Sequence, residues 1–243
     1  LESGDLERPY KTDEYQQRVE SALSVFTGEN DLSTALRRLR KREMIRIAWR
    51  DLSGRADLAE TMAELSAFAD ACIDGALSRP HGWPEGLYGR PLRSDGTPQE
   101  LVVIGMGKLG GRELNFSSDV DLIFAFPETG ETDGEKSIPN TDFFLRLGRK
   151  LIKALGENTA EGFVFRVDMD LRPFGGNGPL VMSFDALESY YGEQGREWER
   201  YAWIKGRPAA GDIPAGERLL ARLNPFIYRR YLDYGVFESL REM

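Results

Sequence analysis

Gly105-Met-Gly-Lys-Leu-Gly-Gly-Arg-Glu-Leu-Asn-Phe-Ser-Ser-Asp-Val-Asp121-Leu-Ile-Phe-Ala-Phe126 is the stretch that decides how the rest of the chain is read. An apolar run, Leu101 to Ile104, enters a glycine-rich turn, and the chain leaves it into Asp119-Val120-Asp121 and a second apolar run. Successive side chains on a strand alternate faces, so Asp119 and Asp121 are expected to point one way while Val120 and Leu122 point into a core. Two carboxylates on one face repel and raise each other's pKa. A hard divalent cation bound by oxygen ligands removes that cost. Glycine N–H groups just upstream suggest a phosphate cradle. The stretch therefore predicts metal-assisted chemistry on a phosphate ester.

A third acid lies downstream. Phe163 to Leu171 alternates, with Phe163, Phe165, Val167, Met169 and Leu171 on one face and Val164, Arg166, Asp168 and Asp170 on the other. That pattern predicts a half-buried strand presenting carboxylates. Asp119, Asp121 and Asp168 form the candidate catalytic, metal-binding triad. It suits two Mg²⁺ ions, with Mn²⁺ as a substitute, flanking a phosphoryl or nucleotidyl group in an in-line displacement. Asp-x-Asp alone is common in ordinary strand-end acids. The glycine turn before it and the alternating strand after it favour metal. Arg166 and Asp170 share the Asp168 face and read as an ion pair tuning the site at least as readily as direct participants.

Gly105-x-Gly107-x-x-Gly110 matches a dinucleotide fingerprint, but that reading requires a helix starting there, and an acid-bearing strand follows too soon. Gly107, Lys108, Gly110 and Gly111 are read instead as phosphate or nucleotide contacts. Ser117 and Ser118 are placed to hydrogen-bond phosphate oxygens; no base pairs with either, so neither is expected to be a nucleophile. Arg172 opens a second glycine-rich turn, Arg172-Pro-Phe-Gly-Gly-Asn-Gly178, and joins the same group. Arg196, Arg200, Lys205 and Arg207 are further cations that could balance phosphate charge, each by itself an ordinary surface residue.

The 243 residues suffice for a real core, in one large domain or two. With 32 basic against 40 acidic residues the net charge is −8, which argues against nonspecific nucleic-acid binding. One cysteine, Cys72, excludes an internal disulfide and fits a reducing cytosol. No apolar run approaches the ~18 residues of a membrane span. The chain starts at Leu1 without a signal peptide and reads as a soluble, cytoplasmic fragment.

The order of elements predicts α+β: a small mixed sheet flanked by N- and C-terminal helices. Boundaries fall at 1–85 (helical), 86–183 (catalytic core) and 184–243 (helical). Leu1 to roughly Thr27 is polar and mixed in charge, which leaves its order open. From Asp31, capped by itself or by Ser33, Leu32, Leu36, Leu39, Met44, Ile47 and Ala48 mark a helix whose other face carries Arg37, Arg38, Arg40, Lys41, Arg42 and Arg46. That face reads as solvated or salt-bridged in preference to a phosphate patch. Leu58 to Leu77 is a second helix, with Cys72 in its apolar stripe. His81, in the turn 79–84, reads as a loop residue and not a base. Pro127 to Pro139 suggests an exposed, mobile loop. Asn140 or Thr141 caps a helix closed by Gly156, and Leu180 to Met182 suggests a short edge strand. Phe184 to Lys205 is helical with a break at Gly195. Gly206 to Gly216 is a break, followed by helices over Glu217–Leu223 and Pro225–Met243.

Three linked motifs carry a resemblance. They are the Gly105–Asp121 stretch, Arg166-Val-Asp-Met-Asp-Leu-Arg-Pro-Phe-Gly175 and Gln194-Gly-Arg-Glu-Trp-Glu-Arg-Tyr-Ala202, supported by Arg42-Glu-Met-Ile-Arg-Ile-Ala-Trp-Arg-Asp51. Leu-Gly-Gly followed by Asp-x-Asp, with a later Asp, resembles the DNA polymerase beta-like nucleotidyltransferases. Together the motifs resemble more closely the bifunctional glutamine synthetase adenylyltransferase/adenylyl-removing enzymes, and the wording Asn115-Phe-Ser-Ser-Asp119 resembles their N-terminal, adenylyl-removing copy. That resemblance implies metal-dependent phosphorolysis of the AMP–tyrosine bond of adenylylated glutamine synthetase, giving ADP. It implies a PII-type signal protein as a partner, with no nucleic acid or membrane. The rival within the fold is ATP-dependent adenylylation of the synthetase; the rival outside it is a non-catalytic module that binds nucleotide or a signal protein. Asp170 departs from the family pattern, which more usually has arginine there.

Overall fold

The computed structural model describes residues 4–24, 29–78 and 85–228. Its organising strand is β1 (Val102–Gly105), antiparallel to both β2 (Val120–Phe126) and β5 (Arg207–Gly211). The far edge of β2 is shared by two short parallel strands, β3 (Val167–Asp168) at its start and β4 (Val181–Ser183) at its end. A parallel neighbour requires a crossover, and helix α6 (Asn140–Gly156) supplies it between β2 and β3. The architecture is α+β with a five-stranded mixed sheet among the described residues, and a four-residue helix, α4 (Glu85–Tyr88), precedes β1.

Every residue of β2 except Asp121 is buried, because the sheet is covered on both faces. Val120, Leu122, Phe124 and Phe126 point into a core with α6 and with three N-terminal helices, α1 (Thr12–Ser24), α2 (Glu29–Leu52) and α3 (Leu58–Leu77). Ile123 and Ala125 face a second core built from α7 (Phe184–Glu193), α8 (Glu197–Ile204) and α9 (Ile213–Ile227). Asp121 has the parity of Ile123 and Ala125, at the start of β2, and is only partly buried.

Several expectations are corrected. The polar N-terminus contains α1, whose Tyr15, Val19 and Leu23, spaced by four, are buried. The supposedly solvated face of α2 is partly interior: the side chains of Arg37 and Arg46 are fully buried. Arg37 donates to the carbonyls of Ala154 (3.2 Å) and Glu157 at the end of α6 and to Gly162 O (2.7 Å). Arg46 is held by Glu43 (2.8 Å), Glu64 and the Tyr15 hydroxyl (2.6 Å). The salt-bridged reading holds for Arg38 and Lys41 with Glu161 (3.6 and 2.7 Å), for Arg42 with Asp5 (2.8 Å) and for Arg46. Arg37 serves carbonyls, and Arg40 lies over the Phe163 ring. Ser33 does not cap α2, which starts at Glu29; its hydroxyl accepts from Arg37 instead.

Asn140 does not cap α6 either. Its side chain is buried and donates to Leu92 O (2.7 Å) and Glu128 O (3.3 Å), which ties down the 127–139 segment that composition marked as a free loop. The alternating strand over 163–171 shrinks to Val167–Asp168, with both Val164 and Phe165 buried. Gly206–Gly216 is not a break: it holds β5, whose Pro208 is tolerated because β5 is an edge strand with a register shift opposite Val103 and Ile104. The following helix starts at Ile213, capped by Asp212, and runs through Pro225 as one element. Cys72 is buried in the core, and burial pushes its thiol pKa up. His81 and the residues from 229 onward lie outside the described residues.

Candidate active site

Strand pairing sets the site. Val120 is in register with Val167 and Asp121 with Asp168. The Val120 N–H donates to Arg166 O at 2.9 Å, which carries the pairing one residue back. Asp121 and Asp168 thus stand on adjacent strands, about 4.8 Å apart, and on the same face. One step earlier Asp119 meets Arg166, whose guanidinium bonds its carboxylate and also donates to Ser117 O at 2.7 Å. The arrangement is two rungs, one of like charges and one of opposite charges.

The like-charged rung is under electrostatic strain. Asp121 is held above its ordinary carboxylate pKa, first by burial, then by the charges of Asp168 and Asp119. The ammonium of Lys108 pulls in the other direction. Asp168 is fixed by accepting the Asp170 N–H at 2.7 Å. Among the described residues no group of three or more His, Cys, Asp or Glu side chains is gathered tightly enough to hold a metal ion. Asp121 and Asp168 nevertheless fit a hard divalent cation: oxygen donors, adjacent and mutually repelling. Asp119, the third expected ligand, is engaged by Arg166.

The glycine turn is only partly the open cradle expected. A one-turn helix, α5 (Gly107–Gly110), does start there, contrary to the sequence reading. Gly107 has φ +52°, and a Cβ on it would lie 2.6 Å from Asp121 Oδ2, so its lack of a side chain leaves the space beside that carboxylate. Gly110 faces the backbone of Lys205, and Gly111 packs against Lys205 and Glu113. A Cβ would collide with backbone at Gly110 and press on side chains at Gly111, so close packing calls for glycine at both. Arg207 clamps the turn by donating to Leu109 O (3.0 Å) and Gly110 O (3.2 Å) while paired with Asp70 of α3 at 2.8 Å.

Of the other expected contacts, Ser117 and Ser118 share one neighbouring acceptor at the surface. Both hydroxyls donate to Asn115 Oδ1, at 3.2 and 2.8 Å, so Asn115 shapes the approach to Asp119. Arg172 donates to Met169 O (2.7 Å), Gly176 O (2.8 Å) and Gly178 O (3.4 Å), and so holds the second glycine turn together instead of reaching outward. Arg196 lends its backbone N–H to Glu199 at the start of α8, Arg200 donates to Phe226 O (2.7 Å), and Lys205 pairs with Glu113 (2.5 Å). Asp170 is exposed, and its carboxylate is 3.9 Å from Arg172. Asn115 and Asp70 were missed in the sequence because their work is done on loop backbone and across elements.

Comparison with known proteins agrees with the motifs. A model of the glutamate-ammonia ligase adenylyltransferase family matches residues 1–222. A protein of Thioalkalivibrio sulfidiphilus named bifunctional glutamine synthetase adenylyltransferase/adenylyl-removing enzyme is 58% identical over 243 residues, covering 100% of this chain and 25% of the relative. Proteins of the same name from Nitrosococcus oceani and Pseudomonas aeruginosa are each 56% identical, over 99% and 100% of the chain and 25% of their own lengths. The chain spans about a quarter of the length of these relatives. On this similarity and the shared motifs, the chain belongs to the glutamate-ammonia ligase adenylyltransferase family.

Proposed function

We propose that this chain carries an adenylyl-removing activity, the phosphorolysis of the AMP–tyrosine bond on adenylylated glutamine synthetase. A phosphate oxygen forms a bond to the AMP phosphorus, the tyrosine O–P bond breaks, and the tyrosinate leaves and takes up a proton. The products are ADP and unmodified synthetase. Tyrosinate has a conjugate-acid pKa near 10, so its departure does not demand a strong general acid. A site built from carboxylates, with no histidine beside them among the described residues, suits such a leaving group.

The observation that carries this reading is the Asp121–Asp168 rung beside the bare backbone of Gly107. Those two carboxylates, with Asp119, are the residues that would hold Mg²⁺, or Mn²⁺ in its place; bound there, such ions offset the charge of the phosphoryl group in the transition state. Lys108 supplies positive charge next to Asp121, and Asn115 fixes the Ser117–Ser118 turn against which the substrate is to be aligned. The setting is cytoplasmic, and a PII-type signal protein is the regulatory partner we propose for the longer protein.

Incubating the chain with adenylylated synthetase, Mg²⁺ and phosphate tests the reading. Release of ADP supports it. Incorporation of AMP from ATP into unmodified synthetase, without ADP release, would assign the forward reaction instead. Nucleotide binding with neither reaction turned over by the wild-type chain, and unchanged in Asp121→Asn, would make a non-catalytic binding module the better description.

A further inference from the structure

Arg166 has no part in the reaction as written above, yet it stands on the same face as the acids and one rung from Asp121 and Asp168. Its guanidinium bonds the Asp119 carboxylate, and a second nitrogen donates to Ser117 O at 2.7 Å. Both side chains are about half exposed, at 58% and 46%, so solvent weakens the pair and does not lock it. Asp170 does not compete for the guanidinium, since its nearest cation is Arg172. The two sides of the pair have different prospects. Asp119 lies just before β2 and is 46% exposed, so its carboxylate is open to a second cation from solvent. Arg166, on leaving Asp119, keeps its donors on the side where a substrate phosphate would arrive, and guanidinium is well matched to phosphate oxygens.

We propose that Arg166 is the resident counter-ion of Asp119, which yields that carboxylate to the metal and then positions the phosphate group of the substrate. The inference rests on the proposed reading of the three aspartates as metal ligands. It makes Arg166 a positioning residue with two opposed effects: it competes with metal and assists the anion. An inert surface ion pair would show neither effect, and an essential structural arginine would lower both affinities together.

Mn²⁺ binding to the full chain, followed by the electron paramagnetic resonance of free Mn²⁺, and ADP binding at saturating Mn²⁺, followed by calorimetry, separate these cases. Arg166→Gln is expected to bind Mn²⁺ about two- to five-fold more tightly, as loss of one exposed competing ion pair implies. The same variant is expected to bind ADP at least ten-fold more weakly. Arg166→Lys, which keeps the charge, is expected to restore most of both values, and Asp119→Asn is expected to abolish the gain in Mn²⁺ affinity from Arg166→Gln. Unchanged or weaker Mn²⁺ binding in Arg166→Gln, with wild-type binding still lost in Asp121→Asn, would overturn the inference and leave the proposed site standing. Absence of Mn²⁺ binding in the wild-type chain would overturn both. A thermal midpoint within a degree or so of wild type shows that each variant is folded.

Discussion

Asp121 and Asp168 are register partners on two parallel strands, with side chains on one face and no cation from either strand between them. Burial and the neighbouring charges raise the Asp121 pKa. A group whose folded pKa lies above its unfolded value favours folding when protonated, and that contribution is lost as pH rises through the folded pKa. The metal-free chain is therefore expected to lose stability between the ordinary aspartate value of 3.8 and the raised one. Asp121→Asn should raise the thermal midpoint at neutral pH while abolishing turnover, and the gain should vanish near pH 3. Thermal melts across pH, paired with the phosphorolysis assay, check this; a lower midpoint for Asp121→Asn at pH 7 would show that the carboxylate is not strained.

Mg²⁺ should relieve the same repulsion. A ligand that binds only the folded state stabilises it by mass action, by about 2.7 kcal/mol at a hundred times its dissociation constant. The midpoint should climb with Mg²⁺ concentration in the wild-type chain and stay level in Asp121→Asn. Differential scanning fluorimetry over a Mg²⁺ titration reads this directly.

Gly107→Ala tests the space beside Asp121. A Cβ there would sit 2.6 Å from Asp121 Oδ2, and φ +52° is unfavourable for alanine. We expect a loss of about 1–2 kcal/mol in stability and a drop in turnover well beyond what that loss explains, since the carboxylate must move. Gly192→Ala is the control: its Cβ would meet nothing within 4 Å, and urea unfolding should show it neutral or slightly stabilised.

Arg46 should matter to folding alone. Its charge is buried and shared by Glu43 and Glu64, while the ring of Tyr10 lies 3.9 Å from the guanidinium carbon. Arg46→Met leaves Glu43 and Glu64 in the interior with only the more distant Arg42 (4.0 Å) and Arg50 (3.5 Å) to offset them, which is expected to cost about 3 kcal/mol. Equilibrium urea unfolding measures it, and a value below about 1 kcal/mol would mean that the network is easily rehydrated.

Asp170→Arg should do the reverse, leaving stability within about 0.5 kcal/mol because the side chain is 77% exposed. The contact to Asp168 comes from the backbone N–H of residue 170 and survives the change. The substitution puts a positive charge beside the acids, so the KM for phosphate is expected to fall several-fold in the phosphorolysis assay. An unchanged KM would place residue 170 outside the reach of the anion.

Read alone, the sequence was enough to establish α+β, the helices α3 and α6, the strand bearing Asp121 and the break between α7 and α8. In each case a local period or a breaker decides the outcome: four-residue apolar spacing, a run of buried β formers, or Gln194-Gly195 between two amphipathic segments. It also showed that Asp119, Asp121 and Asp168 were worth considering together, because like charges next to a core need a reason. Only tertiary structure decided which rung each acid joins, since register between β2 and β3 is fixed by α6 packing against both. It also decided the fate of the arginines. The sequence read Arg37 and Arg46 as part of a solvated or salt-bridged face and Arg172 as a phosphate contact, but carbonyls and carboxylates satisfy the first two in the interior and the third within its own loop. β5 was hidden for the same reason: Arg-Pro-Ala-Ala-Gly has no strand pattern of its own and becomes a strand because β1 offers it an edge. Local pattern fixes what a segment can be; the partners that complete its hydrogen bonds and charges fix what it is.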